Sequence, residues 1–135
     1  MKKSWILLLT FLLGCSSGHA GPVDPVWGKQ ACSHCMMLLS EPAPSAQLLE
    51  KDGTRQFFDD VGCLAEWLER NPHDGALTWV RSTDQRGWQS AEAARFADGQ
   101  RTPMDYGFLP AERGVDFAAL REAVRSKAQA RAVQP

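Results

Sequence analysis

The chain has 135 residues, a length typical of one globular domain. Hydrophobic residues make up 44% of it and charged residues 23%, which excludes a largely disordered chain. Its formal net charge is −1, and lysines and arginines are scattered among acidic residues, which argues against a nucleic-acid-binding protein.

The N-terminus has the pattern of an export signal. Two lysines precede an apolar run, 5–13, that is far shorter than the roughly 20 residues a membrane span requires. The run leads into Leu-Leu-Gly-Cys, which resembles the lipobox of bacterial lipoproteins, whose cysteine receives a diacylglyceryl group and becomes the mature N-terminus. We therefore predict a signal peptide over residues 1–14 and lipidation of Cys15. Ordinary secretion with cleavage after Ala20 is the alternative.

The segment that follows has the composition of a linker. Residues 15–25 are rich in serine, glycine and proline, which predicts a flexible tether between lipid anchor and domain. Position 16 is serine, not the aspartate that commonly retains lipoproteins at the inner membrane. The expected location is therefore the periplasm, with the lipid in the outer rather than the inner membrane.

A group of metal-capable side chains comes next. Residues 32–37 read Cys-Ser-His-Cys-Met-Met, so two thiols, an imidazole and two thioethers occupy six positions. A third thiol, Cys63, follows later. Four cysteines in an exported chain predict two disulfides, but lipidation of Cys15 leaves three, which cannot pair fully. A free thiol in an oxidising compartment requires a functional explanation.

The first half of the remaining chain predicts strands followed by a helix. Segments 46–50 and 54–58 flank Lys-Asp-Gly, a hairpin turn in which glycine takes a positive φ at no steric cost. Asp59 or Asp60 is the predicted N-cap of the helix. An Asn-Pro pair ends this helix, and a third strand is predicted at 76–82. The apolar face of the helix consists of Val61, Leu64, Ala65 and Leu68.

The second half repeats this order. Strands are predicted at 93–97 and 102–109, the second interrupted by a proline, with an Asp-Gly turn between them. Asp116 is the predicted N-cap of a second helix. The buried stripe of that helix consists of Phe117, Leu120 and Val124. Residues 127–135 lose this periodicity and are predicted to form a disordered tail.

The repeated order indicates the fold class. A strand–strand–helix unit occurs twice, and each unit is too small to bury a core alone. We therefore predict that two ββαβ-type units pack into one small α+β domain over residues 26–126.

Three chemistries compete for the paired cysteines, Cys32 and Cys35. Thiol–disulfide oxidoreductases use this spacing, but they place the pair between a core strand and a helix, and no apolar strand precedes it here. A zinc site would need Cys63 with His34 or His73, and lacks the usual second pair of closely spaced ligands. Cuprous copper prefers thiolate and thioether sulfur and accepts few ligands. Covalent haem attachment is excluded because methionine follows the second cysteine.

The motifs and their order resemble the NosL family. They are Cys-x-x-Cys-x-Met at 32–37, Phe-Phe-Asp-Asp-Val-Gly-Cys at 57–63, Trp-Val at 79–80 and Thr-Pro-Met-x-Tyr-Gly-Phe at 102–108. NosL proteins are lipobox-bearing periplasmic copper chaperones that serve the maturation of nitrous oxide reductase. The resemblance covers residues 27–124, most of the mature chain.

This resemblance implies a Cu(I) site between the two units. The implied ligands are Cys32, Cys35, Met37 and Met104. Auxiliary candidates are Met36, Cys63 and His34. We expect copper to lie between the two halves of the domain, not within the CxxC loop alone.

The expected function is that of a membrane-anchored periplasmic metallochaperone. It would deliver Cu(I) to a copper enzyme such as nitrous oxide reductase or to the assembly machinery of that enzyme. Thiol–disulfide exchange by the CxxC pair is the alternative. No Ser/His/Asp set or paired carboxylates emerge from the sequence, so no catalysis is predicted.

Overall fold

A computed structural model describes residues 20–133 of the chain. The predicted signal peptide over residues 1–14 and the lipidation at Cys15 lie outside the described residues. Within 20–133, neither helix combines the length and the apolar character that crossing a bilayer requires.

Short strands and two helices make up the described part, and the predicted α+β class is confirmed. The strands are β1 (Ala46–Leu49), β2 (Arg55–Phe58), β3 (Leu77–Arg81), β4 (Trp88–Ser90), β5 (Arg95–Ala97) and β6 (Leu109–Ala111). The helices are α1 (Val61–Arg70), between β2 and β3, and α2 (Phe117–Val133), after β6.

The first four strands form an antiparallel sheet in the order β2-β1-β3-β4. Strand β1 lies inside this sheet, where Ala46 pairs with Phe58 on one side and with Val80 on the other. The turn between β1 and β2 uses Gly53 at a φ of 91°, as the Asp-Gly pair predicts. The short strand β4 was not predicted from the sequence.

Strands β5 and β6 form a separate antiparallel pair. The predicted strand at 102–109 is wrong, because residues 102–108 contain a turn and no strand residue, and the strand is Leu109–Ala111. Asp105 and Gly107 take φ values of 58° and 88°, which a continuous strand does not permit. The strand–strand–helix order still occurs twice, with the second pairing strand displaced toward the C-terminus.

Helix α1 begins at Asp60, whose Oδ1 accepts a hydrogen bond from the Gly62 backbone amide at 2.9 Å. Asp60, not Asp59, is therefore the N-cap. The predicted apolar face is buried, and Cys63 is buried with it. The helix ends at Asn71, whose backbone amide bonds to the Trp67 carbonyl.

Helix α2 begins as predicted, with Asp116 Oδ1 accepting from the Ala119 amide at 2.8 Å. Its predicted stripe is buried. The helix continues to Val133, so residues 127–133 are helical where a disordered tail was predicted. Residues 134–135 of that predicted tail lie outside the described residues.

Residues 21–24, which we call the strap, are bound to the main sheet. Val23 forms two hydrogen bonds with the buried Gln47 side chain, at 3.1 and 2.9 Å. Asp24 pairs with Arg81 at 2.8 Å and accepts from Trp88 Nε1 at 2.9 Å. The last part of the predicted tether is thus attached to the domain.

Candidate metal centre

The CxxC segment forms a tight loop whose two ends are joined by a bridge between Ala31 and Leu38. The Cys32 amide donates to the Met37 carbonyl at 2.8 Å, and the Met36 amide donates to the Cys32 carbonyl at 3.1 Å. Met36 takes a φ of 67°, which turns the chain sharply after the second cysteine. The loop therefore fixes the two thiols close together.

Strand β2 holds this loop over the start of α1. The Ser33 amide donates to the Phe57 carbonyl at 2.8 Å, and Ser33 Oγ accepts from the Phe57 amide at 3.3 Å. Because β2 runs directly into Asp59 and α1, the same contact brings the CxxC thiols near the first helical turn.

Four donor groups converge at this point. One ligand atom from each of Cys32, Cys35, Asp59 and Cys63 lies within 4.8 Å of every other, a set we call the donor cluster. All three cysteines are free. Cys32 and Cys63 are fully buried and Asp59 is 2% exposed, whereas Cys35 is half-buried. An incoming group therefore meets Cys35 first.

The three thiols have different acidities. A hydrogen bond from the Cys63 thiol lowers the pKa of Cys32 to about 6. The same bond raises the pKa of Cys63, which burial raises further. Burial raises the pKa of Cys35 to about 12. The donor cluster therefore favours the thiolate form at Cys32 over that at Cys35 or Cys63, and a thiophilic ion that binds all three sulfurs displaces protons.

Asp59 is the member of the donor cluster that sequence reasoning assigned to a different role. Its Oδ1 accepts a hydrogen bond from Cys35 Sγ at 3.2 Å. Its Oδ2 is buried and has no hydrogen-bond partner among the described residues. One signal was available in the sequence: only one of two adjacent aspartates can cap the helix, which leaves the other to face elsewhere.

The predicted methionine ligands are on two segments, the CxxC loop and the Thr-Pro-Met segment. Met36 and Met37 are 70% and 48% exposed on the CxxC loop. Met104 is half-buried against the core, and its backbone amide donates to Asp60 Oδ2 at 3.1 Å. The Thr-Pro-Met segment is therefore attached to the N-terminus of α1 at Asp60, three residues before Cys63 in the sequence.

Tyr106 packs the same segment onto the helix. A Cβ at Gly62 would lie 2.1 Å from Tyr106 Cγ, so the ring occupies space that only glycine leaves open. Burial, followed by a hydrogen bond with Glu66, raises the pKa of the Tyr106 hydroxyl. The second half of the chain thus contacts α1 beside Cys63.

His34 has a different partner. Its Nε2 lies 3.0 Å from Glu66 Oε2, and its side chain is only 15% exposed. Glu66 also bonds to Arg70 at 3.0 Å. The imidazole ties the CxxC loop to α1 and is not a member of the donor cluster.

Comparisons with known proteins give one match. A protein-family model described as NosL matches residues 22–104, which include the whole donor cluster and Met104. Searches of curated proteins and of solved structures found no match to the chain.

Proposed function

We propose that this chain, which belongs to the NosL family, is a periplasmic chaperone that binds Cu(I) at the donor cluster and passes it to a copper-accepting protein. Membership of this family implies a copper-binding chaperone role. The observation that carries the proposal is the convergence of Cys32, Cys35 and Cys63 at one half-buried position.

The donor set suits the cuprous ion. Cu(I) is soft, binds thiolate and thioether sulfur, and is stable with two or three ligands. Three free thiols within 4.8 Å provide such a set without any disulfide having to be broken. Cys32 and Cys35 are the primary thiolate ligands in this proposal, and Cys63 adds a third.

Thioethers complete the site from two sides. Met37 is on the CxxC loop and Met104 is on the segment bound to Asp60, so copper would lie between the two units. Met36, the most exposed of these side chains, is the auxiliary candidate. Thioethers carry no charge and cannot form disulfides, so they hold copper where thiols become oxidised.

Transfer follows from the unequal burial of the ligands. Cys35 is the accessible thiol, so a sulfur or imidazole of the acceptor binds copper there before Cys35 leaves. The buried Cys32 and Cys63 retain the ion until that exchange is under way. In this family the acceptor is nitrous oxide reductase or its assembly machinery, and we propose the same class of client.

Thiol–disulfide exchange is disfavoured by the same geometry. The thiol with the lowered pKa, Cys32, is fully buried, and the accessible thiol, Cys35, has a raised pKa. An exchange enzyme needs an accessible thiolate. Neither cysteine of the pair meets both conditions.

The anchoring proposal has its own test. We propose lipidation at Cys15 and insertion into the outer membrane. Cells fed an alkyne-tagged fatty acid should label the wild-type protein, and Cys15→Ser should abolish that label. Labelling that survives in Cys15→Ser would contradict the proposal.

The copper proposal is tested by anaerobic titration of the reduced protein against a competing Cu(I) chelator. We expect Cys35→Ala/Met104→Ala to lose at least about tenfold in Cu(I) affinity, since even an outer-shell change commonly has that effect. Ser40→Ala, an exposed change just after the loop, is the matched control and should bind as the wild type does. Equal affinity of the double variant and the wild type would refute copper binding at this site.

A further inference from the structure

We propose that the C-terminal part of α2 holds residues 102–108, which we call the Met104 segment, in position for copper. The positioning residues are Lys127 and Arg131. This inference rests on the proposed copper function and adds to it the side chains that keep one thioether ligand in place. Both cations lie beyond residue 104, where the family match ends.

The end of α2 extends beyond the hydrophobic core. The last buried side chain of the helix is Val124, and every side chain at positions 125–133 is exposed or only partly buried. A helical segment that buries no apolar face gains little stability from packing. The attachment of this end to the domain therefore depends on contacts made by partly exposed polar side chains.

Lys127 makes the closest of these contacts. Its Nζ donates to the Tyr106 carbonyl at 2.6 Å and lies 5.0 Å from the centre of the Phe108 ring. It also lies 3.8 Å from Asp98 Oδ1, so one ammonium group joins α2, the Met104 segment and the segment after β5. A hydrogen bond from a charged donor is stronger than one between neutral groups. Because its acceptor is a backbone carbonyl, this contact fixes the path of the chain.

Arg131 contacts the same segment one helical turn later. The two cations are four residues apart, so they lie on the same face of α2. The Arg131 guanidinium lies 5.1 Å from the centre of the Tyr106 ring, a cation–π distance. Its Nη2 lies 3.5 Å from the Met104 carbonyl oxygen, a weak hydrogen bond. The face of α2 that carries both cations therefore contacts the residue proposed as the distal copper ligand.

The Met104 segment needs such contacts because its backbone turns sharply. Asp105 takes a φ of 58°, a left-handed conformation that residues other than glycine rarely adopt, and Gly107 takes a φ of 88°. The Met104 amide is bound to α1, where it donates to Asp60 Oδ2 at 3.1 Å. The carbonyl groups of the segment are bound to α2. Both helices thus hold the segment, one through an amide and the other through carbonyls.

Loss of the α2 contacts should lower copper affinity through the position of the thioether. Neither cation is a member of the donor cluster, so the thiols remain where they are. When the binding-competent arrangement is only part of the population, the apparent affinity falls by the fraction present. Release of the segment removes at most what the thioether contributes. The loss therefore cannot exceed the loss caused by Met104→Leu.

The test is a double-mutant cycle on the reduced full-length protein, in mild detergent without oxygen, with Cu(I) affinity measured against a competing chelator. Lys127→Leu/Arg131→Leu should lose about threefold to tenfold in affinity, as expected for one charged hydrogen bond and one cation–π contact. In a Met104→Leu background the same two changes should cost less than about twofold, since no thioether is left to misplace. Lys127→Arg/Arg131→Lys keeps both cations and should stay within about twofold of wild type.

Amide hydrogen exchange provides a second readout that does not need copper. The Met104 amide should exchange faster in Lys127→Leu/Arg131→Leu than in wild type, because the segment is held by α1 alone. The Gly62 amide, which bonds to the other oxygen of Asp60, should exchange at the wild-type rate. Arg113→Leu removes an exposed cation elsewhere and should change neither exchange nor affinity.

Three results would overturn the positioning role. They are wild-type Cu(I) affinity in Lys127→Leu/Arg131→Leu, an equal loss with and without the Met104 thioether, and a Met104→Leu variant that binds Cu(I) as the wild type does. Each of them leaves the copper proposal standing as long as Cys35→Ala/Met104→Ala loses affinity. Unchanged affinity in that double variant would instead refute the copper proposal, and faster exchange at the Met104 amide would still show that α2 holds the segment.

Discussion

Two adjacent carboxylates at the start of α1 differ in role because only one of them can face the helix terminus. Asp60 accepts bonds from the Gly62 and Met104 amides, and burial raises its pKa. Asp59 turns to the thiols. The chemistry of the site therefore depends on which of these two adjacent carboxylates faces the thiols. The backbone conformation decides this, and amino-acid composition does not reveal it.

Gly62→Ala tests the contact between the two halves at the scale of one residue. Its Cβ would lie 2.1 Å from the Tyr106 ring, so we expect a loss of about 1–3 kcal/mol in unfolding free energy, typical of overpacking. Displacement of Tyr106 should also weaken Cu(I) binding if Met104 is a ligand. Chemical denaturation and the chelator competition measure the two effects.

Gly87→Ala is the matched control for that substitution. A Cβ at Gly87 would have no neighbour closer than 3.9 Å, and stability should change little. A Gly62→Ala variant as stable as Gly87→Ala would show that the Tyr106 ring moves aside at no cost.

How much of the site was predictable differs from residue to residue. The paired thiols follow from spacing alone, whereas Cys63 is only an auxiliary candidate in the sequence and joins the cluster because β2 holds the CxxC loop over α1. Asp59 and the Glu66 partner of His34 depend on tertiary contacts across 24 and 32 positions of the chain, which no local pattern encodes. A sequence pattern shows which face of a helix or strand is apolar. It does not show which faces of different elements contact each other.

At the scale of elements, α1 and α2 are joined on their outer side by a charge cluster. Glu69 on α1 bonds to Arg121 at 2.7 Å and to Arg125 at 3.1 Å on α2. These guanidinium groups, Arg121 first, lower the pKa of the Glu69 carboxyl. The ion pairs therefore stabilise the fold only while that carboxylate is charged.

Glu69→Gln should consequently act in a pH-dependent way. The lowered pKa gives stability that is present above the unfolded-state value of about 4.3 and is lost as pH falls through the folded-state value. We expect the variant to be less stable by about 0.5–1 kcal/mol at neutral pH, since the pairs are partly exposed, and equal to wild type in acid. Urea denaturation at several pH values measures this.

Glu112→Gln is the control for the charge change, because Glu112 is exposed and belongs to no salt bridge within the described range. A difference between Glu69→Gln and wild type that persists at low pH, or that 1 M salt does not reduce, would contradict the ion-pair explanation.

The elements that sequence reasoning misplaced share one property: they are short or lack an apolar stripe. Strand β4 has three residues, and β6 contains Pro110, so neither gives an alternating pattern. The end of α2 is helical without periodicity because residues 127–133 include alanine, lysine, arginine and glutamine, all strong helix formers. Hydrophobic periodicity detects only elements that have a buried face. The end of α2 is helical because of its helix propensity, and β4 and β6 are strands because they pair with neighbouring strands.

At the scale of the whole molecule, the strap is part of the domain. Arg81 is 7% exposed, pairs with Asp24, and lies over the rings of Trp27 and Trp88 at 5.9 and 4.8 Å. Loss of the Asp24 carboxylate would leave that buried cation without its ion-pair partner.

Asp24→Ala should therefore lower stability by about 1 kcal/mol and release the strap. Hydrogen exchange at the Val23 amide, which bonds to Gln47, should become faster than in wild type. Asp74→Ala removes an exposed acid elsewhere and should change neither quantity. Unchanged exchange at Val23 in Asp24→Ala would show that the contacts with Gln47 and Arg55 hold the strap without Asp24.

The strap also limits how far the domain can travel. The Gly21 carbonyl in the strap accepts a hydrogen bond from the Arg55 guanidinium at 2.7 Å. If Cys15 carries the proposed lipid, only residues 16–20 separate the anchor from Gly21, a span of at most about 22 Å when fully extended. The proposed copper site would then stay within a thin layer above the bilayer and would not reach across the full width of the periplasm. Encounters with an acceptor on the same membrane become a search in two dimensions, at a raised effective concentration.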